Sequence, residues 1–269
     1  QCRARYSGRI CHSVLRDDSG SDCPVPTKVN SLPLVLVHGY LGGSNQWNLQ
    51  KDYFGDNHQL ITPDLPGFGK NADLEAPDTI NGFAQFVLGK LNEQEIGRFK
   101  LLGHSMGGMI VQEMMTLAPD RIDRLVLYGT AATGTLPTRF ETFETSRQRS
   151  LQDGAKPSAK RISATWFHEN ENADQYENCS AIAVQSSLQA MLAGLTAMEN
   201  WSRIDGIQSL KCPTLLIWGE MDRTYGWDQI SQLWSKLPNP NLAVIPGCCH
   251  AAHFEKPHLF NLVLDDFIQ

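Results

Sequence analysis

No stretch of this 269-residue sequence stays apolar for anything near the roughly 18–20 residues a membrane-spanning helix needs. Its longest early run, Leu34 to Val37, has the length of a strand. Positive charge is in short supply too: 23 lysines and arginines face 29 aspartates and glutamates, a formal net charge of −6. That is the wrong sign for a surface that follows a phosphate backbone. A soluble chain is expected, with no membrane and no nucleic-acid partner. Nor is there a disulfide framework, which would be short, dense and even-numbered; the seven cysteines are scattered, with two adjacent at positions 248 and 249. Free thiols in a reducing, cytoplasmic setting are expected. Gln1 opens the chain where Met would stand, which leaves a removed leader open, and only an exported chain would pair Cys2, Cys11 and Cys23. Repeats, low-complexity tracts and the Gly-x-Gly-x-x-Gly and Walker strings are absent, so no cofactor is expected. Cys248, Cys249, His250, His253 and Glu255 cluster in sequence. They lack the second ligand pair some 12–20 residues away that a structural zinc site uses, and no metal is expected.

What is present is ordinary globular material: 41% apolar and 19% charged residues, enough for one large domain or one domain with an insertion. After a polar loop at residues 17–31, short apolar runs recur at Leu32–Val37, Leu60–Thr62, Phe99–Leu102, Leu125–Tyr128, Thr214–Trp218 and Leu242–Ile245. Continuous Val/Leu-rich runs mark strands buried on both faces. Helical patterns lie at Ile80–Leu91, Met106–Ala118, Trp227–Leu237 and Leu259–Ile268. Strands alternating with helices predict a mostly parallel sheet in an α/β fold. One segment, 131–209, holds no strand run and is polar and helix-prone. It is too long for a loop, and a helical cap inserted between a core of 1–130 and 210–269 is expected.

The sharpest local signal is Gly103-His104-Ser105-Met106-Gly107-Gly108, set between a strand and a helix. A nucleophilic serine on such a turn needs small neighbours, because strand and helix approach closely there. The turn would expose the Ser105 hydroxyl and aim the Met106 N–H at a developing oxyanion. A serine needs a base, and the base needs an orienting acid. Asp222 and His250 each follow a strand run in the hydrolase order Ser, acid, His. They would therefore lie on the sheet edge that carries Ser105.

With these residues in place the chain resembles the alpha/beta-hydrolase superfamily over nearly its whole length. Val37-His38-Gly39, the turn Asp64–Gly69, the Ser105 elbow and Gly247–Pro257 around His250 carry the likeness. Within it the chain looks like the capped group of 3-oxoadipate enol-lactonases, carboxylesterases and meta-cleavage-product hydrolases. The resemblance implies an eight-stranded, mostly parallel sheet with helices on both faces and a helical cap. It implies a second oxyanion donor on the backbone N–H of Tyr40, and it makes His253 a second, non-catalytic histidine. Cys249 departs from the glycine common before the base.

Competing residues take structural readings: His38 braces its loop, Asp64 belongs to its turn, Glu220 lies at the surface, and His104 carries no role in the triad. Ser105 rather than Asp at the elbow points to acyl transfer. The expected pocket is Leu41, Trp47, Trp166, Met191, Leu195, Met198 and Trp201, with Tyr225 and Trp227 near its rim. Short- to medium-chain carboxylester hydrolysis by a monomer or homodimer is the first expectation. A C–C bond (dienoate) or lactone hydrolase is the alternative. Those substrates need a cation in the cap for their carboxylate, and Arg139, Arg147, Arg149, Lys160 and Arg161 all qualify by position. A hydrolase fold kept as a binding protein is the non-enzyme alternative.

Overall fold

A computed structural model describes residues 32–55, 57–137 and 139–269; Cys2, Cys11, Cys23 and the 17–31 loop lie outside the described residues. In chain order the elements are β1 (Leu34–Val37), α1 (Asn48–Phe54), β2 (Leu60–Ile61), α2 (Ile80–Glu93), β3 (Phe99–His104), α3 (Met106–Leu117) and β4 (Ile122–Tyr128). Then come α4 (Phe143–Asp153), α5 (Ala155–Ala164), α6 (Tyr176–Ala183), α7 (Leu188–Glu199), β5 (Thr214–Gly219), α8 (Trp227–Lys236), β6 (Asn241–Ile245), α9 (Ala252–Glu255) and α10 (Pro257–Ile268). The strands form one sheet in the order β2-β1-β3-β4-β5-β6, parallel at every pairing. The six apolar runs are the six strands. The resemblance implied eight strands; the described residues hold six.

Burial on both faces explains the strand composition. Val35, Val37, Leu101, Leu125 and Leu127 point into one core with α2 and α3. Their neighbours Leu34, Leu36, Leu102, Val126 and Tyr128 point into the other, with Phe54 of α1 and Phe260 and Leu264 of α10. Alternate residues thus serve opposite cores, as the two-residue period of a strand requires. The strand order reverses direction between β1 and β3, and in such sheets the crevice beyond the strands' carboxyl ends is where ligands sit. Tyr40 follows β1 and Ser105 follows β3 at that point.

Between β4 and β5 the chain leaves the sheet for α4 to α7. Thr142 caps α4 by accepting from Thr145 N at 3.1 Å. Ser187 caps α7 by accepting from Ala190 N at 3.1 Å. An antiparallel bridge between Thr133 and Ser202 closes the base of this excursion, and Arg203 N donates to Ala132 O at 2.7 Å beside it. No single helix among the described residues is long and apolar enough to cross a membrane.

Candidate active site

Ser105 sits at φ 57°, ψ −121°, a conformation that costs a non-glycine residue about 1–3 kcal/mol and persists only when its surroundings fix it. Here they do. Ser105 N donates to Tyr128 O at 2.9 Å, and Ser105 O accepts from Gly108 N and from Thr130 Oγ1, each at 2.8 Å. The small flanking residues are forced by contact. A Cβ on Gly103 would run into the Gly107 carbonyl, and one on Gly107 into the carbonyls of Val37 and His38. α3 then starts at Met106, directing its first N–H groups toward the space around the serine. The Tyr40 loop lies against the same turn, since a Cβ on Gly39 would stand 2.9 Å from Ser105 Cβ.

From the far side, the loop after β6 brings His250 in. Its Nδ1 donates to Asp222 Oδ2 at 2.8 Å, both side chains being buried. The other carboxylate oxygen accepts from Thr224 N at 2.7 Å and Tyr225 N at 3.1 Å, so Asp222 is held at both oxygens. Gly129, at φ 50°, leaves the space the pair needs; a Cβ there would stand 3.2 Å from His250 Nδ1. The Tyr225 ring stacks on the imidazole at 5.5 Å. Ser105 and His250 line one small cavity together with Tyr40, Trp166, Met198 and Tyr225.

Behind His250 stands a buried polar frame. Tyr128 Oη and His104 Nε2 both donate to the His250 carbonyl, at 2.8 and 3.1 Å. The Tyr128 oxygen in turn accepts from His253 Nδ1 at 3.0 Å. Burial pushes His104 well below the usual histidine value and His253 down to about 3, which keeps both neutral and fixes these donor roles. His38 is likewise held down, to about 4, by burial. It donates from Nδ1 to Gly39 O at 2.8 Å and accepts at Nε2 from Leu65 N at 2.9 Å, tying the Tyr40 loop to the Asp64 turn. Asp64 itself accepts from Ser44 N at 2.7 Å. Glu220, at the surface, accepts from Gly247 N at 3.0 Å. Burial raises the thiols of Cys248 and Cys249 to about 12 and about 11. Cys249 donates to Met221 O at 3.0 Å. No group of three histidine, cysteine or carboxylate residues is placed to hold a metal among the described residues.

The expected pocket is only partly what the structure builds. Trp166 and Met198 line the Ser105 cavity, and Leu41 lines a neighbouring one. Trp47 does not join them: the turn Ser44–Trp47 carries it under the sheet, among Leu34, Leu36 and Phe54, 5.0 Å from the His253 ring. Met191 and Leu195 are fully buried in the core rather than in either cavity wall. Trp201 is tied by Nε1 to Glu113 at 3.4 Å. Helical spacing in α7 thus brings one of three expected residues to the site, because the helix meets the core with the rest of that face; Gly194 lies 3.0 Å from the Tyr40 ring where a Cβ would be. Tyr225 lines the cavity, whereas Trp227 is exposed and packs on Trp218 at 5.7 Å.

Arg139 lines the cavity as well, a placement that composition and spacing did not single out. Its guanidinium lies over the rings of Phe140 and Phe143 at 4.5 and 4.9 Å, and Nη1 donates to Ser146 Oγ at 2.9 Å. Of the other cap cations, Arg147 pairs with Glu199 and Glu144, while Arg149 and Arg161 share Glu141.

The chain is similar to several known hydrolases. A 2-hydroxy-6-oxononadienedioate/2-hydroxy-6-oxononatrienedioate hydrolase of Burkholderia vietnamiensis is 28% identical over 251 residues, 88% of this chain and 86% of that one. An (E)-2-((N-methylformamido)methylene)succinate hydrolase of Acinetobacter baylyi is 23% identical, over 88% and 90% of the two chains. Among solved structures, the enol-lactonase of Burkholderia xenovorans LB400 superposes with a TM-score of 0.80 at 20% identity, over 89% and 92% of the chains. A thermophilic esterase of Thermogutta terrifontis does so at 0.79 and 24%, over 88% and 89%. The profile of the alpha/beta hydrolase fold matches residues 33–257. Elbow, parallel sheet and profile coincide, and the chain belongs to the alpha/beta hydrolase fold family.

Proposed function

We propose that the protein is a serine hydrolase that cleaves short- to medium-chain carboxylic esters through an acyl-enzyme. The observation that carries this reading is the 2.8 Å His250–Asp222 pair facing a cavity shared with a serine at positive φ. Ser105 attacks the ester carbonyl while His250 takes its proton; the N–H groups of Met106 and Tyr40 receive the oxyanion. His250 then protonates the leaving alcohol, and water enters by the same route to release the acid. Residues 131–209 act as the lid and wall of the pocket. Purified protein should show burst release of p-nitrophenolate from p-nitrophenyl butyrate, and Ser105→Ala should abolish it. Turnover in that variant equal to wild type overturns the assignment.

One observation favours a second reading, hydrolysis of a C–C bond or lactone in a carboxylate-bearing substrate. Arg139 brings a guanidinium to the cavity that holds Ser105, where a carboxylate would find a charged donor. Comparing kcat/KM for p-nitrophenyl butyrate and a 2-hydroxy-6-oxo-hexadienoate separates the two. A dienoate value about tenfold or more above the ester favours the second.

A further inference from the structure

Tyr225 meets Ser105, Asp222 and His250 at once. Its backbone N–H donates to Asp222 Oδ1 at 3.1 Å. Its ring lies over the His250 imidazole, 5.5 Å between centroids and 26° between planes. Its hydroxyl lies beside the Ser105 side chain, in the cavity that both residues line. The Tyr225 carbonyl is fixed as well, accepting from Trp218 Nε1 at 2.8 Å. Backbone and ring are therefore held, and the hydroxyl alone is left uncommitted.

That hydroxyl is buried and has no hydrogen-bond partner among the described residues, an arrangement that costs free energy while it lasts. Burial raises the phenol above the ordinary tyrosine value, and the neighbouring Ser105 side chain offsets only part of that. The group keeps its proton and stands as a donor without an acceptor. Such a donor gains its bond only when a new oxygen arrives, and a bond made only then lowers the barrier instead of holding the ground state. Two other hydroxyls of the cavity, on Tyr40 and Thr224, are unpaired too. Tyr40 sets its ring edge-on to Phe68 at 6.1 Å, whereas Tyr225 carries its donor on a ring stacked against the imidazole.

We propose that the Tyr225 hydroxyl is a further catalytic group, donating to the alcohol oxygen of the ester as that oxygen leaves the acyl carbon. This rests on Ser105 being the acyl-accepting nucleophile and His250 its base. Ser105 Oγ bonds to the carbonyl carbon, and its proton passes to His250. When the tetrahedral adduct collapses, the C–O bond to the alcohol breaks and its electron pair stays on the alcohol oxygen. That oxygen takes the proton from His250. Tyr225 transfers no proton; it hydrogen-bonds the charge that builds on the oxygen before the proton arrives.

Ethyl butyrate and p-nitrophenyl butyrate test this, because they share an acyl group and differ in the leaving oxygen. Ethoxide is strongly basic and needs help; p-nitrophenolate leaves unaided. Tyr225→Phe should lower kcat/KM for ethyl butyrate by about 10- to 100-fold and leave p-nitrophenyl butyrate within about twofold of wild type. Its melting temperature should hold or rise, since phenylalanine keeps the ring and removes a buried hydroxyl that bonds to nothing. Equal losses on both esters assign Tyr225 to packing and overturn the proposal, as does no loss on either. A Tyr225→Phe protein that misfolds or melts well below wild type overturns it too, by giving the hydroxyl a structural partner. Wild-type protein that cleaves neither ester removes the nucleophile and this inference with it.

Discussion

Asp222 shows how much one side chain settles. Its Oδ1 is committed to two backbone N–H groups and its Oδ2 to His250. In Asp222→Asn the amide oxygen would keep the backbone bonds and turn the NH2 toward Nδ1, forcing the imidazole to carry its proton on the nitrogen meant for serine. A fall in kcat of roughly 10⁴ is expected, with KM and melting temperature nearly unchanged; single-turnover acylation measures it, and a loss below about tenfold would mean another acid serves. Arg139→Met separates the two substrate readings at the same scale. Loss of a charged hydrogen bond, about 1.5–3 kcal/mol, should lower kcat/KM for a carboxylate-bearing substrate by roughly 10²-fold and leave p-nitrophenyl butyrate nearly untouched. Equal losses on both substrates would assign Arg139 to packing. Ser105, Asp222 and His250 were legible because each chemistry-bearing type follows its own strand run. Arg139 was not: it was one of five candidate cations, and only packing decides that Arg147, Arg149 and Arg161 turn to carboxylates while Lys160 stays exposed.

At the scale of elements, the β3–α3 turn is where packing tolerance is lowest. Gly107→Ala would push a methyl into two carbonyls of the β1 loop, backbone that cannot step aside, and should cost roughly 1–3 kcal/mol or more. Gly89 in α2 is the control, since a Cβ there meets nothing within 4 Å. Gly89→Ala should stabilise by about 0.5–1 kcal/mol. Urea unfolding of the two variants reads both signs, and equal shifts would contradict the contact argument. Strands were readable because parallel strands covered on both faces are buried at every position, as β1 and β3 are, and so run mostly apolar. Edge strand β6, partly exposed, was the weakest run by that rule. Cap helices were foreseen as a class, but which face each presents was not. That depends on how a short helix settles on its neighbours, and it misplaced Met191 and Leu195. Trp47 was misjudged for a simpler reason: closeness in sequence to Tyr40 does not survive a turn that dives beneath the sheet.

Across the whole molecule, three buried neutral histidines tie stability to acidity. His38, His104 and His253 all have folded pKa values depressed below the unfolded value of 6.5. The unfolded chain therefore binds more protons below pH 6.5, and stability is fully present above that value and lost as pH falls toward 4 and then 3. Each histidine contributes a slope of up to about 1.4 kcal/mol per pH unit. Urea midpoints should hold steady from pH 8 to about 6.5 and drop steeply by about pH 4.5, with a shallower drop in His253→Gln. Midpoints insensitive to pH over that span would contradict the assignment of neutral rings.

Glu255 reaches further still. One of its oxygens accepts from His168 N in the cap at 2.7 Å, and the other from Cys249 N beside the base at 2.6 Å. Arg223, next to Asp222 in sequence, holds Asn170 and the His168 carbonyl at 2.7 and 3.0 Å. On the reading proposed above, residues 131–209 are a lid, and these bonds fasten it to the loops that carry His250 and Asp222. Ser105 and His250 are only 7% and 1% exposed. If the protein is the proposed ester hydrolase, esters on a polymer, a micelle or another protein would be screened out by access rather than by pocket chemistry.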